Sequence, residues 1–160
     1  MTYSPLEMRW TLSALRAGGM EFLKAVVLVG WAVATGVLRL RDVRIWSFVD
    51  EHDHVLHHSV VTPTAMHLPW LEKPGREIGG CFTVAAARGM KIYPFVLRSV
   101  AAQDDEPLYM IVEAGNQASR SGMERAGFQV ITKLTRRSGS IRPPRYIEEP
   151  ENGTDVTMGI

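Results

Sequence analysis

The chain has 160 residues, a length typical of a single domain and sufficient to bury a hydrophobic core. Hydrophobic residues make up 46% of it and charged residues 22%, which excludes a disordered or low-complexity protein, and the net charge of +1 gives no reason to predict a nucleic-acid partner. The single cysteine, Cys81, excludes an internal disulfide and a zinc site built from several thiolates, and it fits a cytoplasmic location.

The first 38 residues predict two helices separated by a glycine pair. Residues 4–7 form a capping box with proline at the first helical position, and Gly18 and Gly19 end this helix. The second helix is apolar on both sides and carries an uncharged run over 25–38. This run is shorter than the roughly 20 residues that span a bilayer, so a buried helix is favoured. Peripheral membrane contact through residues 20–38, or a span, remains an alternative.

From residue 42 the pattern changes to that of β-strands. Residues 43–49 and 55–61 predict two strands joined as a hairpin by a polar turn. A proline-containing loop then leads to a third strand over 78–84, whose alternation places Ile78 and Phe82 on one face.

The second half of the chain predicts alternating helices and strands. A loop over 85–90 precedes a helix whose apolar face includes Ile92, Phe95, Val96 and Val100. After a fourth strand over 108–113, Asn116 is a suitable N-cap and Gly127 a suitable C-terminal residue for a second helix.

A fifth strand is predicted over 128–134, and Tyr146 with Ile147 predicts a short edge strand. The last ten residues are predicted to be disordered. The predicted organisation is therefore a mixed α/β domain over 1–137, with a helical part over 1–38 and a core over 42–135, followed by an extension over 138–160.

The third strand, its loop and the following helix predict an anion site. The first turn of a helix presents unpaired N–H groups and the positive end of the helix dipole. Arg88 and Lys91 add positive charge at this point. The alternative is an ordinary connection whose basic side chains are solvated.

Two sequence blocks resemble the signatures of the GNAT superfamily of N-acetyltransferases. Residues 81–94 follow the pattern Cys-Phe-Thr-Val-x-x-x-Arg-Gly-x-x-Ile-Tyr-Pro, and Asn116-x-x-Ser119 is followed by Ala-Gly-Phe at 126–128. The resemblance covers residues 42–135 and is closest to members with an Arg-Gly-x-Gly-Ile-Tyr-Pro loop. It implies a mostly antiparallel sheet that contains one splayed parallel strand pair and is flanked by helices.

The resemblance also implies acetyl-CoA as the cofactor. Backbone amides of the loop would wrap the pyrophosphate, while the end of the third strand and Asn116 would hold the pantetheine arm. The residues that it assigns to coenzyme A are Thr83, Val84, Arg88, Gly89, Met90, Lys91, Ile92, Tyr93, Asn116 and Ser119.

The sequence departs from the family pattern in three places. Lys91 stands where the loop usually has glycine, and Met123 stands where many members have a tyrosine that protonates the leaving thiolate. Only residues 1–3 precede the first predicted helix, so the usual first strand is missing or vestigial.

The resemblance implies transfer of an acetyl group to the primary amine of a small molecule, such as an amino sugar. Such a reaction needs a base, for which the candidates are a hairpin histidine, His58 in particular, and Glu77; Tyr93 is the candidate acid. A metal site at the hairpin histidines is possible by spacing, but none is predicted because these histidines lack nearby partner ligands in a clear register. The rival interpretation is a non-catalytic module that binds CoA, and a homodimer is left open.

Overall fold

The computed structural model describes residues 42–64, 71, 73–136, 146–148 and 155–160, together with positions 30 and 34. The predicted N-terminal helices, the vestigial first strand and most of the C-terminal extension lie outside the described residues. Within the part of the chain that the structure describes, no helix is long and apolar enough to cross a membrane.

The described residues form seven strands, which are β1 (Arg44–Val49), β2 (Val55–Pro63), β3 (Arg76–Thr83), β4 (Leu108–Glu113), β5 (Gln129–Arg136), β6 (Tyr146–Glu148) and β7 (Asp155–Gly159). A short 3₁₀ turn at Ala85–Ala87 and helix α1 (Ile92–Ala101) connect β3 to β4. Helix α2 (Gln117–Ala126) connects β4 to β5.

All seven strands lie in one sheet with the order β1-β2-β3-β4-β7-β5-β6. The β3–β4 pair is parallel, and the other neighbouring pairs are antiparallel. The predicted fold class, a mostly antiparallel sheet with one parallel pair and flanking helices, is confirmed. The predicted hairpin is β1–β2, and the predicted edge strand is β6.

Local signals set both ends of helix α2. The Asn116 side chain accepts a hydrogen bond of 3.1 Å from the Ser119 amide, so it caps α2 as predicted. Gly127 ends α2 in the left-handed conformation, with φ of 104°. In α1, Val96 and Val100 are fully buried against the sheet, whereas Phe95 is 44% exposed and packs edge-on against Phe48.

A β-bulge in β3 changes which face of the sheet its later residues occupy. Val60 pairs with Gly79 and His58 pairs with Phe82, so the strand has one extra residue between these pairs. The bulge contains Gly80, which has φ of 57°. Residues with a side chain rarely adopt this conformation, whereas glycine adopts it readily. Ile78 therefore packs in the core, whereas Phe82 lies on the opposite face, stacked on His58. The expectation that Ile78 and Phe82 share a face was wrong, because strict alternation does not survive a bulge.

The prediction of a disordered C-terminus was also wrong. Asp155–Gly159 forms β7, which lies between β4 and β5 and pairs with both strands. Val156 is 2% exposed and Met158 is fully buried. The strand is short and has weak local signals, and its backbone partners come from two distant segments. The sheet therefore includes residues that the sequence placed in an extension outside the domain.

Candidate active site

The parallel strands β3 and β4 separate soon after they pair. Arg76 lies beside Leu108 and Glu77 beside Tyr109, and in the described residues the pairing stops there. A cavity of about 710 Å³ lies between the C-terminal half of β3, the first turn of α1 and helix α2. The splayed pair that the resemblance implied is therefore present, and the cavity lies beside the later part of β3.

Most of the predicted cofactor residues line this cavity. The lining includes Thr83, Arg88, Gly89, Lys91, Ile92, Tyr93, Asn116 and Ser119. Val84 and Met90 are not part of the lining: the Val84 amide donates a hydrogen bond of 3.0 Å to the Leu56 carbonyl, and Met90 is 63% exposed. The two sequence blocks thus converge on one cavity, although they are separated by a helix and a strand.

Lys91 adopts the backbone conformation that glycine would favour. It is the N-cap of α1, with φ of 61° and ψ of 17°, in the left-handed region. This conformation costs a residue with a side chain about 1–2 kcal/mol relative to a right-handed one. Lys91 therefore carries backbone strain that a glycine at this position would avoid.

The electrostatics of the cavity favour an anion. Arg88, Lys91 and Arg125 contribute positive side chains, and none of the described lining residues is acidic. The first turn of α1 directs its N–H groups towards the same space. Arg88 is held by a hydrogen bond of 3.3 Å from its Nε to the Thr83 carbonyl.

A chain of polar side chains crosses the floor of the cavity. Thr83 Oγ1 lies 2.7 Å from His57 Nδ1, and His57 Nε2 lies 2.8 Å from Ser59 Oγ. Ser59 donates to Cys81 Sγ at 3.2 Å, and the Tyr93 hydroxyl also hydrogen-bonds to this sulfur. Both ring nitrogens of His57 are therefore within hydrogen-bond distance of a hydroxyl group, and each hydroxyl can serve as donor or acceptor.

Burial keeps each titratable member of this chain neutral. It lowers the pKa of His57 to about 4, with a further contribution from neighbouring His58. It also raises the pKa of Cys81 to about 11 and raises that of Tyr93 above its ordinary value. Cys81 is therefore a thiol at neutral pH and a poor nucleophile. Tyr93 keeps its proton and acts as a hydrogen-bond donor.

The structure brings one of the three predicted catalytic residues to the cavity. Tyr93 lines it, but His58 and Glu77 do not. Alternation along β2 places His58 on the opposite face from His57, and burial lowers the pKa of His58 to about 4. Glu77 lies between Thr62 and Tyr109 in the sheet, where burial raises the pKa of its carboxyl.

Sequence reasoning missed residues of α2 that share the face of Ser119. Ala118, Gly122 and Arg125 line the cavity at helical spacing, which could have identified them once Ser119 was chosen. A Cβ atom on Gly122 would lie 2.5 Å from Cδ1 of Tyr93, so the tyrosine ring packs directly on the helix backbone. Met123 is 3% exposed and packs in the core.

Solved structures of GNAT acetyltransferases share this architecture. The aminoglycoside antibiotic 6′-N-acetyltransferase from Acinetobacter haemolyticus matches with a TM-score of 0.59 at 13% identity, over 88% of this chain and 99% of that one. A GNAT superfamily phosphinothricin acetyltransferase from Sinorhizobium meliloti, solved with acetyl-CoA, matches with a TM-score of 0.51 at 13% identity, over 86% of this chain and 68% of that one.

A third structure, provisionally assigned as a phosphinothricin N-acetyltransferase, matches with a TM-score of 0.61 at 14% identity, over 99% of this chain and 96% of that one. No family model and no curated protein sequence matches the chain. The chain therefore has the GNAT fold, with its cavity at the splayed strand pair.

Proposed function

We propose that the protein is a cytoplasmic N-acetyltransferase that moves an acetyl group from acetyl-CoA to the primary amine of a small molecule. The observation that carries this proposal is the cationic cavity between the end of β3 and the N-terminus of α1, which residues of both sequence blocks line. The neighbour from Sinorhizobium meliloti was solved with acetyl-CoA, which supports the same cofactor here.

The residues present fit coenzyme A. Backbone amides of the loop from Arg88 to Tyr93 would bind the pyrophosphate, and the side chains of Arg88, Lys91 and Arg125 would neutralise its charge. Asn116 would face the pantetheine arm, although its side-chain oxygen also caps α2. Bound acetyl-CoA supplies the thioester, whose carbon–sulfur bond breaks as the carbon–nitrogen bond forms.

Catalysis would depend mainly on positioning. The acceptor amine must be neutral to attack, so the rate should rise with pH as the amine loses its proton. Because burial raises the pKa of Tyr93 and its hydroxyl hydrogen-bonds to Cys81, this residue would be a weak general acid for the leaving thiolate. His58 and Glu77 stay candidates for the base only if the acceptor approaches the opposite sheet face, on which they lie.

The proposed class of acceptor is drawn from some of the neighbours. Proteins of similar fold include a phosphinothricin acetyltransferase, an aminoglycoside 6′-N-acetyltransferase and a spermidine N-acetyltransferase. All three names specify small molecules with amino groups. We therefore propose an amino sugar, an amino acid analogue or a polyamine as the acceptor.

Two observations favour a second function, that of a CoA-binding module without activity. Met123, at the position of the usual tyrosine acid, packs in the core. His57, the imidazole at the cavity, has its pKa lowered to about 4 and is a weak base. Coenzyme A binding is common to both functions, and turnover distinguishes them.

The test combines binding with turnover. Calorimetry with CoA should show one site, and Arg88→Ala should weaken it by about tenfold because one charge-assisted contact is lost. Lys133→Ala is the matched control, since it removes one positive charge from an exposed residue of β5 outside the cavity lining. Release of free thiol from acetyl-CoA is then followed against amino sugars, amino acids and polyamines. Binding without turnover would assign the non-catalytic module, and failure of CoA to bind would reject both functions.

A further inference from the structure

The turn between β1 and β2 holds a second cluster of functional side chains. The Asp50 amide donates to the His54 carbonyl at 3.0 Å, and the Asp53 amide donates to the Asp50 carbonyl at 3.2 Å. Asp53, with φ of 61°, is the left-handed residue that follows this turn. A turn followed by a left-handed residue is a common hairpin geometry. This geometry fixes the backbone positions from which Asp50, His52 and His54 project.

These three residues bring metal-ligand atoms together. Asp50, His52 and His54 each offer one ligand atom, and the three atoms lie within 4.8 Å of one another. Asp50 Oδ1 accepts hydrogen bonds from the amides of His52 and His54, at 2.8 and 2.9 Å. These bonds orient the carboxylate so that Oδ2 lies 3.0 Å from His54 Nδ1.

The geometry is close to that of a transition-metal site. Two ligands on a tetrahedral zinc ion with bonds of about 2.05 Å lie about 3.4 Å apart, so the Asp50–His54 pair needs a shift of only a few tenths of an ångström. The side chains of His52 and His54 are 70% and 73% exposed, which leaves the imidazole of His52 free to rotate towards the other two ligands. The carboxylates of Glu51 and Asp53 add negative charge to the turn.

We propose that Asp50, His52 and His54 form a binding site for a divalent transition-metal ion of the zinc class. Ions of this class prefer imidazole nitrogens together with a carboxylate oxygen, whereas Mg²⁺ and Ca²⁺ prefer ligand sets made of oxygen atoms. Glu51 lies near enough to assist, with Oε1 3.9 Å from His52 Nδ1. Water completes the coordination at this solvent-exposed turn.

The site is tested by calorimetric titration of the full, tag-free chain with Zn²⁺. One ion should bind per chain, and His52→Gln, His54→Gln and Asp50→Asn should each weaken binding by about tenfold or more. Asp53→Asn is the matched control, because it removes the same charge from the same turn without removing a ligand, and asparagine tolerates positive φ. Circular dichroism melting without metal should show that all four variants remain folded.

Three outcomes would overturn the site. These are failure of the wild-type chain to bind Zn²⁺, unchanged affinity in both histidine variants, and equal weakening by Asp50→Asn and Asp53→Asn. The last result would show that general negative charge rather than coordination attracts the ion. Since none of these residues lines the acetyl-CoA cavity, CoA binding should be unchanged in every variant.

Discussion

Lys91 combines a strained backbone with a position at the cavity. We expect Lys91→Gly to stabilise the fold by about 0.5–1 kcal/mol, because the relief of left-handed strain exceeds the entropy that glycine adds to the unfolded chain. Urea unfolding measures this change. Lys91→Ala removes the charge but keeps the strain, so it should not stabilise. Equal stabilisation by both variants would attribute the effect to charge instead.

His57 and His58 make the stability of the fold depend on pH. Burial lowers the pKa of each to about 4, below the value of 6.5 for an exposed histidine. Between pH 6.5 and pH 4 the unfolded chain therefore binds more protons than the folded chain, and stability falls as pH falls through this window. Each residue could contribute a loss of up to about 3 kcal/mol.

Urea unfolding at pH 7.5, 6 and 5 tests this dependence. Glu77 acts in the opposite direction, because burial raises the pKa of its carboxyl and so favours the protonated folded state. The comparison is therefore made between variants: His58→Gln should flatten the profile, whereas His52→Gln, at an exposed position, should leave it unchanged. A profile equally steep in His58→Gln would contradict the buried, neutral state of this histidine.

At the scale of elements, the contact between α1 and α2 depends on the absence of a side chain at Gly122. Alanine normally stabilises a helix by about 1 kcal/mol over glycine. Here the added Cβ would lie 2.5 Å from Cδ1 and 2.7 Å from Cε1 of Tyr93, and both elements would have to shift. We expect Gly122→Ala to destabilise the fold by about 1–3 kcal/mol.

A double-mutant cycle separates these two effects. In the Tyr93→Ala background the ring is absent, so Gly122→Ala should become stabilising by about 1 kcal/mol. The measurement is the midpoint of urea unfolding for the four proteins. The same sign in both backgrounds would show that the Tyr93 ring does not pack on α2.

The sequence could predict features that depend on residues close together in the chain, but not features that depend on pairing between distant segments. The ends of α2 were predictable, because Asn116 and Gly127 act on their own turn of helix. The loop from Arg88 to Tyr93 was recognisable for the same reason, since it lies between one strand and one helix. The bulge in β3 was not, because it is defined by pairing with β2. Which of the adjacent histidines of β2 reaches the cavity depends on the sheet face that α1 and α2 cover, which is also a long-range property.

At the scale of the whole molecule, the last strand joins two halves of the sheet. On one side β1 to β4 are consecutive neighbours, and on the other side β5 pairs with β6. Strand β7 lies between β4 and β5 and supplies backbone partners to both, for example through Val156, which pairs with Val112 and Lys133. Without β7, the hydrogen-bonded ladder of the sheet is therefore interrupted between β4 and β5.

Removal of residues 154–160 should accordingly abolish cooperative unfolding. The truncation exposes the unpaired edges of β4 and β5 and removes Val156 and Met158 from the core. A matched pair of substitutions localises the effect: Met158→Lys places a charge at a fully buried position, whereas Ile160→Lys changes a residue that is 52% exposed. We expect the truncated chain and Met158→Lys to lose the urea transition, and Ile160→Lys to keep it within about 1 kcal/mol of the wild type. A truncated chain that unfolds with the midpoint of the full chain would instead support the disordered C-terminus that the sequence predicted, because only an unpaired segment can be removed at so little cost.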